Sequence, residues 1–215
     1  MILQKKGASG MKVLIVNGSP HKDGNTMVAL RAMMEVFEEE GAEYELFNIA
    51  DKAVEDCRGC GACSKLGRCV IDDAVNEFNE KFENADGIVI GSPVYYAAAA
   101  GRVASFPNRV FYSAKFDTTM KVGCCFCAAR RGGIETAFDQ INKYFTISGM
   151  PIASSRYWNG IHGSKPGEAE QDLEGISVAR ILARNMCFLM KSISLGKETY
   201  GAPKSEKKNV TNFIR

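Results

Sequence analysis

Lys12-Val-Leu-Ile-Val-Asn-Gly18 runs directly into Ser19-Pro-His-Lys-Asp-Gly-Asn-Thr26, and then into Met27, Leu30, Met33, Met34 and Phe37 at helical spacing, with Gly41 as the stop. A short β-branched run that ends at turn residues is a buried strand. Apolar residues three and four apart form one face of a helix. The opening unit is therefore strand, glycine-bearing loop, helix. The loop has neither the GxxxxGK[ST] spacing of a triphosphate loop nor GxGxxG. It does set Ser19, Asn25 and Thr26 beside a helix N-terminus, where free N–H groups and the helix dipole favour an anion. Helix capping by Asn25 or Thr26 is the plainer reading of the same residues.

The alternation continues along the chain. Tyr44–Ile49 reads as a second strand, and Gly87-Ile-Val-Ile-Gly91, closed by Ser92-Pro93, as a third. Met120–Cys127 is expected as the fourth strand and Ile152–Trp158 as the fifth. Between them fall helical stripes: Val75, Phe78 and Phe82 after the capping residues Asp72-Asp73; Val103–Tyr112, started late or disturbed by Pro107; and Thr136–Phe145. Ile176, Ala179, Leu182, Met186 and Leu189 mark a long last helix. Strand and helix alternating five times is an α/β fold, a doubly wound parallel sheet with helices on both faces. The expected organisation is a flexible extension over 1–10, one domain over 11–195 with a cysteine-rich insertion at 50–72, and a polar tail over 196–215.

Composition narrows the function. Of 215 residues, 27 are Lys or Arg and 25 Asp or Glu, a net charge of +2, which offers no electrostatic attraction to nucleic acid or to a membrane surface. No apolar run reaches the ~18 residues of a membrane span, and the first ten residues lack the apolar centre of a secretory leader. A cytoplasmic protein is expected, and its eight cysteines are then no disulfide framework. Cys124, Cys125, Cys127 and Cys187 fall in apolar patterns and are expected as core.

In an open parallel sheet, ligands bind at the carboxyl ends of the strands where the order reverses. For the order 2-1-3-4-5 that point lies between strands one and three. Strand three ends in Ser92-Pro93-Val94-Tyr95-Tyr96, which offers aromatic faces to a flat ring. Strand four ends in Cys127-Ala128-Ala129-Arg130-Arg131-Gly132-Gly133, where glycines admit close backbone approach and Arg130 or Arg131 could stabilise negative charge on a ring edge; an ordinary surface turn with solvated arginines is the plainer reading. One ligand could set its phosphate on the first loop and its ring on the second. Trp158 to Gly163, after strand five, lies on the same side. No residue stands out as a catalytic acid, base or nucleophile.

Cys57-x2-Cys60-x2-Cys63-x5-Cys69 crowds four thiols into 13 residues. Gly59 and Gly61 free the backbone to wrap around a cluster, and Gly67 lets Cys69 fold back. Zinc, whose structural sites separate two Cys pairs by a longer stretch, and a bare thiol loop stay open beside it.

The segments GSPHKDGNT, SPVYY and AARRGG together resemble the flavodoxin-like NAD(P)H-dependent FMN reductase superfamily, and the cysteine spacing is similar to its iron–sulfur flavoprotein branch. The resemblance covers roughly residues 11–195. It implies FMN, with Ser19, His21, Asn25 and Thr26 on the phosphate, Pro93, Val94, Tyr95 and Tyr96 bordering the isoalloxazine, and Ala128, Ala129, Arg130, Gly132 and Gly133 along its polar edge. It implies one [4Fe–4S] cluster on Cys57, Cys60, Cys63 and Cys69, NAD(P)H as electron donor, a quinone, flavin or similar acceptor, and a homodimer or homotetramer. The alternative is an electron carrier that relays between partner proteins such as ferredoxin. The chain departs from the pattern at His21, where relatives often have Arg. It departs again at Ala104 and Asn108, where relatives often have Lys and Asp, and at Pro107. A phosphoacceptor receiver domain is the least favoured reading, because Asn17-Gly18-Ser19 and Gly91-Ser92-Pro93 stand where its acidic residues would be.

Overall fold

The computed structural model describes residues 4–5, 10–207, 209 and 211. Among these residues seven strands join in one sheet: β1 (Gln4–Lys5), β2 (Lys12–Asn17), β3 (Glu43–Asn48), β4 (Gly87–Tyr95), β5 (Ala98–Ala99), β6 (Val122–Ala129) and β7 (Gly160–His162). The order is β1-β3-β2-β4-β6-β7, with β5 hairpinned onto β4. The pairs β3–β2, β2–β4, β4–β6 and β6–β7 are parallel. This is the expected 2-1-3-4-5 order with two short antiparallel additions.

The helices are α1 (Asn25–Glu39), α2 (Cys63–Leu66), α3 (Ala74–Glu83), α4 (Gly101–Ser113), α5 (Ile134–Ile147) and α6 (Leu173–Tyr200). Each central strand divides its side chains between two cores by its period of two. Val13 and Ile15 of β2 meet Leu30, Met33 and Phe37 of α1 and Leu182 and Met186 of α6. Leu14 and Val16 face the other way, into Phe78, Phe82, Phe106 and Phe145. Cys124, Cys125, Cys127 and Cys187 are fully buried in these cores, as expected. Burial pushes the Cys124 thiol up and that of Cys187 to about 11, so both stay protonated and inert.

Four expectations are corrected. Pro107 neither delays nor breaks α4, which starts at Gly101 and carries the proline on its buried side; packing against the Phe106 and Val110 core outweighs the lost hydrogen bond. The fifth strand does not run over Ile152–Trp158. Ile152 makes one isolated bridge to Gly123, the chain then bulges, and pairing resumes at Gly160 opposite Cys127. The polar tail begins later than expected, because α6 continues to Tyr200. Gln4–Lys5, inside the expected flexible extension, pairs antiparallel with Tyr44 and Glu45, while residues 1–3 and 6–9 lie outside the described residues.

No helix among the described residues is long and apolar enough to cross a membrane.

Candidate functional site

Asn17, fully buried at the end of β2, builds the first loop. Its Nδ2 donates to Asn48 Oδ1 at 2.9 Å and its Oδ1 accepts from Ser19 N at 3.1 Å. Gly18 follows and donates its N–H to Gly91 O at 2.9 Å. A Cβ on Gly18 would stand 2.1 Å from Val103 Cγ2 of α4 and 2.7 Å from Gly91 O of β4, so the close approach of the chain to both needs glycine here. Ser19, buried, accepts from His21 N at 3.1 Å through its hydroxyl.

The chain then enters α1 through Gly24, and no side chain caps the helix. The capping reading of Asn25 and Thr26 therefore falls. Asn25 Oδ1 instead accepts, at 3.4 Å, from Ala169 N across the crevice. The first turn of a helix leaves its N–H groups without intrahelical acceptors. With the positive dipole end they form an anion cradle walled by Ser19, Asn25 and Thr26.

These residues open onto a cleft of about 1020 Å³, lined further by Pro93, Val94 and Tyr95 from β4 and by Ala128, Ala129 and Arg130 from the end of β6. The cradle and the strand ends thus meet in one crevice, as the switch-point argument requires. The cleft fits FMN: an uncapped helix end for a phosphate, next to alanines and a proline that leave room for a flat ring.

Three residues expected on the ring, Tyr96, Gly132 and Gly133, do not line the cleft. Tyr96 and Ala97 form the two-residue turn between β4 and β5, with φ of 51° and 57°. Such a turn favours Asn-Gly, and two L side chains there store strain. The turn holds Tyr95 on the cleft wall and leaves Tyr96 wholly exposed. Gly133, at φ +89°, packs behind the turn against Ala97 and Val94.

Sequence reading missed Asp51, Ser164 and Pro166, which complete the cleft. Asp51 pairs with Lys22 at its rim. Glu168 accepts from Ser164 N at 2.7 Å and Lys165 N at 2.9 Å, and these two amides hold its carboxyl below the usual range. Of the Trp158–Gly163 segment only Gly163 reaches the cleft. Trp158 and His162 line a neighbouring groove, where His162 Nδ1 lies 3.2 Å from Asp172 Oδ2.

The cysteine insertion is a loop with one short helix. Gly59, Gly61 and Gly67 all take positive φ and turn it back on itself. Cys57, Cys60, Cys63 and Cys69 line one small cavity of about 20 Å³, together with Arg109 and Tyr112 of α4. Among the described residues no three His, Cys, Asp or Glu side chains are gathered closely enough to hold a metal ion as they stand. The donor set nonetheless fits a thiolate-bound cluster, since all four sulfur-bearing residues border one space and a buried arginine faces it. Arg109 is a fourth residue that sequence reading missed.

A doubly wound parallel sheet with an anion cradle at its switch point defines the flavodoxin-like class of fold. Within that class, the chain belongs to the NADPH-dependent FMN reductase family, which it matches over residues 11–164. It is 34% identical over 195 residues to an iron–sulfur flavoprotein of Methanocaldococcus jannaschii, covering 85% of this chain and 99% of that one. It is 31% identical to an iron–sulfur flavoprotein of Methanosarcina thermophila, covering 87% and 100%. Among solved structures, an NAD(P)H:quinone oxidoreductase from Methanothermobacter marburgensis superposes with a TM-score of 0.65 at 17% identity, covering 82% of this chain and 96% of that one. The family membership makes the chain a flavin-linked oxidoreductase.

Proposed function

We propose that the cleft binds FMN and that the protein passes electrons from NAD(P)H through it to a quinone, flavin or similar small acceptor. The observation that carries this reading is the meeting of the uncapped α1 N-terminus with the ends of β4 and β6 in one crevice. Ser19, Asn25 and Thr26, with the first-turn N–H groups, bind the phosphate dianion. His21, exposed at the loop, adds a donor. Pro93, Val94 and Tyr95 wall one side of the ring, with Tyr96 and Gly133 shaping the turn behind them. Ala128 and Ala129 leave the ring room, and the Arg130 cation favours negative charge at its polar edge. Bound FMN supplies a hydride acceptor that returns electrons singly or in pairs. The protein positions and tunes it, which is why no acid or base is needed for the transfer.

A second reading, an electron carrier serving partners such as ferredoxin, draws on the cysteine loop and on the iron–sulfur flavoproteins among the relatives. Cys57, Cys60, Cys63 and Cys69 would hold one [4Fe–4S] cluster, which supplies one-electron transfer. The family resemblance carries the expectation of a homodimer or homotetramer.

One experiment separates the readings. Anaerobically purified protein is assayed for flavin, for iron, and for steady-state NAD(P)H oxidation with menadione or free FMN. Turnover supports the reductase; reduction only through ferredoxin supports the carrier; absence of flavin and of FMN binding overturns both.

A further inference from the structure

Arg109 of α4 is only 1% exposed, and an arginine is buried at that depth only where its donors are met. Its Nε and Nη2 donate to Cys69 Sγ at 3.3 and 3.2 Å. Nη2 also reaches Ile71 O and Asp73 Oδ1, both at 2.9 Å. Nη1 donates to Asp73 Oδ2 and, at 3.2 Å, to the carbonyl of Glu55. Glu55 precedes the first cysteine of the loop, and Ile71 and Asp73 follow the last. One guanidinium therefore ties both ends of the loop to α4 and presses its charge against one sulfur.

We propose that Arg109 is the positioning residue of the cysteine loop and sets the reduction potential of the cluster bound there. The inference rests on the reading above that the four thiols hold an iron–sulfur cluster. Its physical basis is charge. Reduction adds an electron to an anionic cluster, and N–H···S bonds from a fixed, desolvated cation favour the more negative state. Arg109 accordingly raises the potential, and Asp73, its counter-charge, restrains that rise. Asp73 also caps α3 by accepting from Val75 N at 3.0 Å, a role that Asn fills equally well.

The test is an EPR-monitored redox titration of anaerobically prepared protein, with iron content measured first. Arg109→Gln removes the charge and should shift the cluster potential downward, with Arg109→Lys between it and the wild type. Asp73→Asn removes the opposing charge and should shift it upward. Loosening of the loop by either change would move both variants the same way, so opposite shifts identify the electrostatic role. Shifts of equal sign, or none, overturn it. If Arg109→Gln does not fold, Asp73→Asn decides alone: a rise supports the assignment and any other result overturns it. Wild-type protein devoid of iron overturns the cluster reading itself, an outcome distinct from an iron-loaded protein whose potential ignores Arg109.

Discussion

Gly133 is locked against Ala97: a Cβ on Gly133 would come within 2.8 Å of the Ala97 Cα and 3.0 Å of its Cβ. The glycine that opens α5 thereby braces the strained Tyr96-Ala97 turn that orients Tyr95. Gly133→Ala should destabilise the fold by about 1–3 kcal/mol, from positive φ and the clash together. Because the displaced segment borders the cleft, FMN affinity should fall as well. Thermal unfolding and flavin-fluorescence titration check the two effects. Gly132, with open space around it, is the control, and Gly132→Ala should change neither.

The cradle predicts a phosphate-specific loss. Asn25→Ala with Thr26→Ala removes two donors, each worth about 1.5–3 kcal/mol toward a charged group, so FMN binding should weaken roughly a hundredfold or more. Riboflavin, which lacks the phosphate, should bind the variant and the wild type alike. An equal loss for both ligands would place these residues elsewhere than on the phosphate.

Asp172 couples the last helix to the bulged edge of the sheet. Its Oδ1 accepts from Gly175 N at 2.9 Å and its Oδ2 from His162 N at 2.8 Å. Burial pulls its pKa upward, but these bonds and the His162 ring prevail and leave it below the ordinary value. A carboxylate depressed in the folded state adds stability above its unfolded pKa of about 3.9 and loses it as pH falls through the lower folded value. Asp172→Asn keeps a helix cap while deleting the charge. It should cost about 0.3–1 kcal/mol at pH 7, with the difference from wild type shrinking as pH falls through the lowered folded value. Urea midpoints followed from pH 7 into the acid range measure it.

The central strands, the main helices and most of the cleft were legible because they obey local rules. β2, β4 and β6 are β-branched or thiol-rich runs buried on both faces, and the loop after β2 announces itself by Gly18, Gly24 and the helix that follows. What stayed hidden depends on contacts distant in sequence. Arg109 looks like one more charge on an amphipathic helix until the cysteine loop, some 40 residues away, folds onto it. Asp51, Ser164 and Pro166 reach the cleft only through the topology. The resemblance of the SPVYY segment puts both Tyr95 and Tyr96 on the ring, yet the tight turn after β4 sends the two neighbours in different directions. The fifth strand misled for a related reason: its apolar pattern over Ile152–Trp158 belongs to a bulge whose backbone groups are served by side chains.

That bulge is held by Asn159, 1% exposed, whose Nδ2 donates to Cys125 O at 3.1 Å while its Oδ1 accepts from the Ser155 hydroxyl at 2.8 Å. The side-chain amide stands in for a missing ladder bond, and the backbone carbonyl of Asn159 accepts from Cys127 N at 3.0 Å, restarting the parallel pairing that leads into β7. Asn159→Ala would leave the Cys125 carbonyl buried and unpaired, at a cost of about 1–3 kcal/mol. Asn159→Asp should cost at least as much, because it sets a carboxylate against a carbonyl in a desolvated site. Amide hydrogen exchange should then quicken locally over 160–163, the segment that carries Gly163 to the cleft wall, while β2 and β4 keep their protection. Uniform quickening through the whole sheet would mean that Asn159 supports global stability without any particular hold on this edge.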